Sequence, residues 1–156
     1  MSLEFSTACE LAEKIRNKEI SSRELTDLYI ERIERLDGEV NAVVVRDFDR
    51  ARAEADRADQ ALSEGRSLGP LHGVPMTIKE AYNMADLPTT WGVPEFKDNI
   101  ATEDSESVAR FKAAGAVFLG KTNVPLNLAD FQSFNEIYGT TGNPWSTDRT
   151  PGGSSG

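Results

Sequence analysis

Residues 105–122 read Ser-Glu-Ser-Val-Ala-Arg-Phe-Lys-Ala-Ala-Gly-Ala-Val-Phe-Leu-Gly-Lys-Thr, and two architectures compete for them. The last eight, Gly115 to Thr122, match the letters of a phosphate-binding loop, Gly-x4-Gly-Lys-Thr. Such a cradle needs a strand before its first glycine, flexible polar backbone between the glycines, and a helix opening at Lys-Thr so that free N–H groups face the anion. The context is the reverse. A helical pattern over 105–114, anchored by Val108 and Phe111, precedes Gly115, which stands where a helix cap belongs. The intervening Ala116-Val117-Phe118-Leu119 reads as a buried strand, and Val124-Pro125 follows where a helix would have to run. The stretch is a helix-then-strand unit, and it argues against nucleotide binding.

Upstream the same alternation recurs. Thr7 followed by Glu10 forms a capping-box pattern before Ala8, Leu11, Ala12 and Ile15 at helical spacing. Ser21 and Glu24 repeat it, Leu25, Leu28, Tyr29, Ile33 and Leu36 hold one face, and Gly38 is the expected stop. Asn41 to Val45 is a short β-branched run, and 47–64 places Phe48, Ala51, Ala55, Ala58 and Leu62 on one side of a helix. Gly69, Pro70, Gly73 and Pro75 punctuate an irregular crossing that leads into a strand over 74–79, with Lys79 at its end. Residues 88–102 are the expected long loop, and Trp91, Phe96 and Trp145 are read as core or loop-packing aromatics. Helices alternating with strands imply an α/β fold.

Composition narrows the function. The 156 residues are about one domain in length, and 38% hydrophobic with 28% charged residues is a globular balance. A formal charge of −9 argues against nucleic acid as a partner, because phosphate neutralisation needs clustered Lys and Arg. The single cysteine, Cys9, allows no internal disulfide, and no paired Cys/His spacing suggests a metal. A cytoplasmic location is expected. No apolar run approaches the ~18 residues of a membrane-spanning helix, so no membrane role is expected either.

The chain's last eight residues, Arg149-Thr150-Pro151-Gly152-Gly153-Ser154-Ser155-Gly156, form a backbone-shaping loop that by composition alone would pass for a linker. They follow Gly139-Thr140-Thr141-Gly142-Asn143-Pro144-Trp145 and, much earlier, Gly69-Pro70-Leu71-His72-Gly73-Val74-Pro75-Met76-Thr77-Ile78-Lys79. These three blocks, in this order, resemble the amidase signature family, serine hydrolases with a Ser-Ser-Lys triad. The resemblance implies an N-terminal portion of that α/β fold, helices packed on a mixed sheet, with 1–66 as a helical region and 67–156 as the first part of the core.

The roles follow from the same resemblance. Lys79 would be the base and Ser154 the proton relay, held through a cis Gly153–Ser154 peptide, while Gly152, Gly153 and Ser155 would shape the loop. A lysine without this context would be read as solvated at a strand end; as a base it must be neutral, which needs burial or nearby positive charge. The segment containing Asp130 and Phe131 would line the acyl pocket. The nucleophile and the oxyanion hole would lie beyond Gly156, so the chain by itself is expected to lack appreciable hydrolase activity. No metal or organic cofactor is implied. The partner would be a small-molecule amide. Glu80 stands where the family usually has Asp, and Val124-Pro125-Leu126 favours a free-standing amidase over the subunit of a glutamyl-tRNA amidotransferase, which is the alternative. A truncated binding or assembly fragment is the other alternative, and unpaired sheet edges then leave a homo-oligomer or self-association open.

Overall fold

The capping box at Thr7 is formed. In this computed structural model, which describes residues 3–156, Thr7 Oγ1 accepts the Glu10 N–H at 3.2 Å and Glu10 Oε2 accepts the Thr7 N–H at 2.7 Å. It opens α1 (Ala8–Arg16), which buries Leu11, Ala12 and Ile15. A second reciprocal pair, Ser21 N–H to Glu24 Oε2 at 2.9 Å and Glu24 N–H to Ser21 Oγ at 3.0 Å, opens α2 (Ser22–Val40). The Asp59 carboxylate adds a remote cap, accepting the Ser22 and Arg23 N–H groups at 2.7 and 2.9 Å.

Gly38 does not stop α2. It lies exposed within the helix, where glycine costs only about 1 kcal/mol against alanine. The stop comes at Asn41, in the left-handed region at φ 56°. The buried Asp37 carboxylate captures the turn by accepting the Ala42 and Val43 N–H groups at 2.7 and 3.1 Å. Leu36, expected on the apolar face, is exposed; Leu25 and Ile30 carry the burial.

The remaining regular elements are β1 (Val43–Arg46), α3 (Phe48–Ser63), β2 (Pro75–Lys79), α4 (Glu106–Ala113), β3 (Val117–Thr122), β4 (Phe134–Asn135) and β5 (Gly139–Thr140). Three strands form a sheet in the order β1-β3-β2, and β4 pairs with β5 as an antiparallel ribbon. β1 runs antiparallel to β3. The bonds flanking β2 and β3, Val117 N–H to Val74 O and Glu80 N–H to Thr122 O, advance along both strands together, so that pair is parallel and the sheet is mixed.

β3 extends past Leu119 because pairing continues, with Arg46 opposite Gly120 and Val45 opposite Lys121. Gly120 has φ 147°, and a Cβ there would lie 2.0 Å from Val45 O. The second glycine of the phosphate-loop lettering is therefore a site of close strand approach.

The chain divides into two compact units. The first comprises Met1–Arg32, Asp47–Met76 and Ala109–Leu119. Its core joins Leu11, Ala12, Ile15, Leu25 and Val74, with Leu62 and Leu71 packed against them. Buried His72 pins the crossing loop: Nδ1 accepts the Leu68 N–H at 2.9 Å, and Nε2 lies 3.0 Å from Ala58 O as its donor. Phe111, expected as an anchor, is 41% exposed and meets Phe118 only edge-on at 6.4 Å, whereas the other expected anchor, Val108, which belongs to the second unit, is fully buried.

The second unit comprises Ile33–Arg46, Thr77–Val108 and Gly120–Gly156. Its long loop is organised by a bridge between Pro88 and Ile100 and a 3-10 turn at Pro94–Phe96. The aromatics read as packing residues are not buried there. Trp91 and Phe96 are about half exposed, and Trp145 is 95% exposed. Hydrogen bonds hold both tryptophans in place of burial. The Trp91 indole donates to Ala81 O at 3.1 Å, and Asn143 Oδ1 accepts the Trp145 N–H at 2.9 Å.

Candidate active site

The second unit brings the two principal candidates together. Lys79 ends β2, and its Nζ donates to Ser154 Oγ at 2.9 Å across 75 residues of sequence. Both residues are partly buried. Gly152, at φ 87°, turns the loop, and its N–H is accepted by Thr150 Oγ1 at 3.1 Å. Ser133 Oγ donates to Gly153 O at 3.2 Å, and the Gly156 N–H donates to Asn123 O at 2.8 Å.

The Gly153–Ser154 peptide is trans, as is every described peptide bond. The cis form implied by the resemblance costs ~3 kcal/mol and persists only where its surroundings hold it. Positions 152 and 153 have no heavy atom within 4 Å of where a Cβ would sit, so little surrounds that side of the loop to hold it.

The other candidates sit less centrally. Ser155 is exposed. Asp130 is exposed as well, its Oδ1 accepting the Gln132 N–H at 3.1 Å. Phe131 is 82% exposed, with its carbonyl taking the Thr150 hydroxyl at 3.1 Å, so this segment is tethered to the start of the Ser154 loop.

Next to Lys79 the chain buries a carboxylate. Successive strand residues alternate faces, and Glu80 turns inward with no exposed surface. Its Oε1 accepts the Thr90 N–H at 2.6 Å and the Tyr138 hydroxyl at 3.0 Å, and its Oε2 accepts the Trp91 N–H at 3.0 Å. Burial, reinforced by this carboxylate, pushes the Tyr138 hydroxyl well above the usual tyrosine range.

Lys121, fully buried on β3, grips the same loop by opposite groups, donating to Pro88 O and, at 2.8 Å, to Thr89 Oγ1. Burial lowers it to about 8, with the Glu80 charge opposing the shift. The segment Pro88–Trp91 is thus held by a cation on its acceptors and an anion on its donors.

A neutral network lies beneath the Ser154 loop. Asn123 Nδ2 donates to Gly139 O and Thr141 Oγ1 at 3.1 and 3.0 Å, while its Oδ1 accepts from Val124 N–H and Asn135 Nδ2 at 2.8 and 3.0 Å. Asn135 Oδ1 accepts the Ile137 and Tyr138 N–H groups at 3.0 and 2.8 Å. Sequence reasoning passed over Lys121, Asn123, Asn135, Tyr138 and Thr141. The one available signal was Lys121 itself, two places beyond an apolar strand run and too close to it to be solvated by default.

A lysine amine and a serine hydroxyl 2.9 Å apart on a glycine-rich loop are within the distance over which a proton can pass. The family model described as Amidase matches residues 24–156, and the chain belongs to that family, the amidase signature enzymes. It is 39% identical to the acylamidase of Rhodococcus erythropolis over 155 residues, covering 98% of this chain and 32% of that protein. It is 41% identical to a glutamyl-tRNA(Gln) amidotransferase subunit of Moorella thermoacetica, covering all of this chain and 32% of that one. Among solved structures, a bacterial aryl acylamidase of the amidase signature family superposes with a TM-score of 0.91 at 31% identity, over 97% of this chain and 32% of that chain. The chain spans about a third of the length of these relatives. Among the described residues no helix is long and apolar enough to cross a membrane.

Proposed function

We propose that this chain supplies the base and the proton relay of a carboxamide hydrolase with a Ser-Ser-Lys triad. The observation that carries the reading is the 2.9 Å contact between Lys79 Nζ and Ser154 Oγ. The Lys79 amine takes the Ser154 hydroxyl proton, and Ser154 takes the proton of an attacking serine hydroxyl as that oxygen bonds to the amide carbon. The hydroxyl serves because it donates and accepts at once. As the C–N bond breaks, Ser154 gives the proton to the leaving nitrogen, releasing an amine or ammonia, and is reprotonated from Lys79; water, losing its proton to the same relay, then cleaves the ester and the attacking serine regains its hydroxyl proton. Gly152, Gly153 and Ser155 shape the loop, and Asp130 and Phe131 border the acyl end. The attacking serine is not assigned to any of the 156 residues, so the chain by itself is read as inactive toward amides.

The test is made on the complete reading frame that contains this chain, assayed against a series of small carboxamides. Lys79→Ala and Ser154→Ala are each expected to lower kcat/KM by about 10²–10⁴, the range of general acid–base contributions. A variant within about threefold of the parent would remove that residue from the mechanism. The 156-residue chain is expected to show no acylation by a fluorophosphonate probe, and labelling of any of its serines would overturn the assignment of the nucleophile elsewhere.

The 41% identity to an amidotransferase subunit favours a second reading, in which ammonia passes to a partner protein. A requirement for glutamine and co-purifying subunits would select it. Val124-Pro125-Leu126 after the Lys121-Thr122-Asn123 block supports the free-standing amidase.

A further inference from the structure

Ser154 is gripped on both sides, and the two grips share one residue. Before it, Gly153 O accepts from Ser133 Oγ; after it, the Gly156 N–H donates to Asn123 O. Thr141, 1% exposed, touches both holders. Its N–H donates to Ser133 O at 2.9 Å, and its Oγ1 accepts from Asn123 Nδ2 at 3.0 Å while donating to Asn41 O at 2.7 Å. A Cβ at Gly156 would fall 2.6 Å from Thr141 Oγ1 and 2.7 Å from Asn123 Cβ, so the loop's end rests directly on these two residues and admits only glycine.

We propose that Thr141 is the positioning residue for the relay serine, acting through Ser133 and Asn123 to set Ser154 Oγ against Lys79 Nζ. The proposal rests on the reading of Lys79 and Ser154 as a proton-transfer pair. Ser133, Asn123 and Thr141 are all buried, and every side-chain donor and acceptor named is used. Thr141 meets Ser133 through its main-chain N–H and Asn123 through its hydroxyl, so the hydroxyl is the part a substitution can remove. Its removal deprives Asn41 O of the hydroxyl that serves it and takes away one of the two acceptors of Asn123 Nδ2, leaving Gly139 O as the other. Asn123 is then held less firmly, and the end of the loop, which rests on Thr141 Oγ1 and is bonded to the Asn123 main-chain carbonyl, loses part of its seat.

The experiment uses the 156-residue chain labelled with 15N-lysine and follows the Lys79 Nζ resonance. The quantity read is the change in that resonance on Ser154→Ala, measured in the parent, in Thr141→Val and in Thr141→Ser. The parent and Thr141→Ser, which keeps the hydroxyl, are expected to show the full Ser154-dependent change. Thr141→Val is expected to lose most of it, with exchange of the Gly156 amide hydrogen roughly tenfold faster and the α3 amides of Ala55 and Ala58 unaltered, because only a local opening is released. Where Thr141→Val disturbs the α3 amides, Thr141→Ala decides instead, since it also lacks the hydroxyl and adds no bulk. A full Ser154-dependent change in the deciding variant, with Gly156 exchange unaltered, overturns the proposal. No change at Lys79 on Ser154→Ala in the parent is a different failure. It removes the lysine–serine pair itself, and the proposed function with it.

Discussion

Replacing Glu80 by glutamine changes almost no volume and tests whether the carboxylate beside Lys79 is a structural anchor. With the amide oxygen at the Oε1 position, the Thr90 N–H and Tyr138 hydroxyl keep an acceptor, but the NH2 group faces the Trp91 N–H that Oε2 now accepts. One donor left unpaired costs about 1–3 kcal/mol, and the two surviving bonds lose roughly 1 kcal/mol each in going from charged to neutral. Relief from holding a desolvated carboxylate offsets part of this, leaving a net loss of about 2–3 kcal/mol. For a domain of this size that is a fall in Tm of roughly 5–10 °C. A second effect separates the anchor from general damage. The Glu80 charge opposes the lowering of Lys121, so Glu80→Gln is expected to push Lys121 below about 8. Urea and thermal denaturation give the first quantity, and an NMR titration of the lysine Cε resonances gives the second. A stability change under about 0.5 kcal/mol together with an unmoved Lys121 would refute the reasoning.

Two further outcomes follow from the same unit. Lys121→Met should alter how stability varies with pH. Burial lowers the folded lysine to about 8 from 10.5, so below pH 8 both states hold the proton and the folded chain bears the full cost of the buried charge. Between about pH 8 and 10 the unfolded chain still binds the proton that the folded chain has released, so stability relative to the variant rises by up to ~1.4 kcal/mol per pH unit. Paired urea titrations at about pH 7.5 and 10 read this, and equal differences at both would exclude it. Gly120→Ala should destabilise the chain by at least ~3 kcal/mol, since the new Cβ would lie 2.0 Å from Val45 O at φ 147°. A folded, fully stable Gly120→Ala chain would contradict the β1–β3 register.

The helices were legible because their signals are local. Thr7 with Glu10 and Ser21 with Glu24 form the reciprocal bonds that their spacing announces. The end of α2 was not, because a glycine is only permissive. Asp37 and Asn41 stop the helix through partners met after folding, among them Tyr138 O, 97 residues away from Asn41. Lys79 and Ser154 were legible through resemblance alone, since nothing in the spacing of residues 79 and 154 brings them together. Asn123, Asn135 and Thr141 carry no sequence signal that marks their roles, although Thr141 lies within one of the three blocks of the resemblance. Buried amides and hydroxyls are chosen to match backbone groups that converge from separate turns, and that convergence is a property of the fold.

The chain's two tryptophans are placed in opposite circumstances, and this makes the protein its own optical reporter. Trp145 is already almost wholly in water, so its emission should change little when the chain unfolds. Trp91 is fastened at three points: its N–H to Glu80, its indole to Ala81 O and its carbonyl to the Asn127 N–H. Intrinsic fluorescence of the unlabelled protein therefore watches the segment clamped between Glu80 and Lys121. A transition seen by fluorescence but not by circular dichroism would be the release of that segment while the helices remain intact.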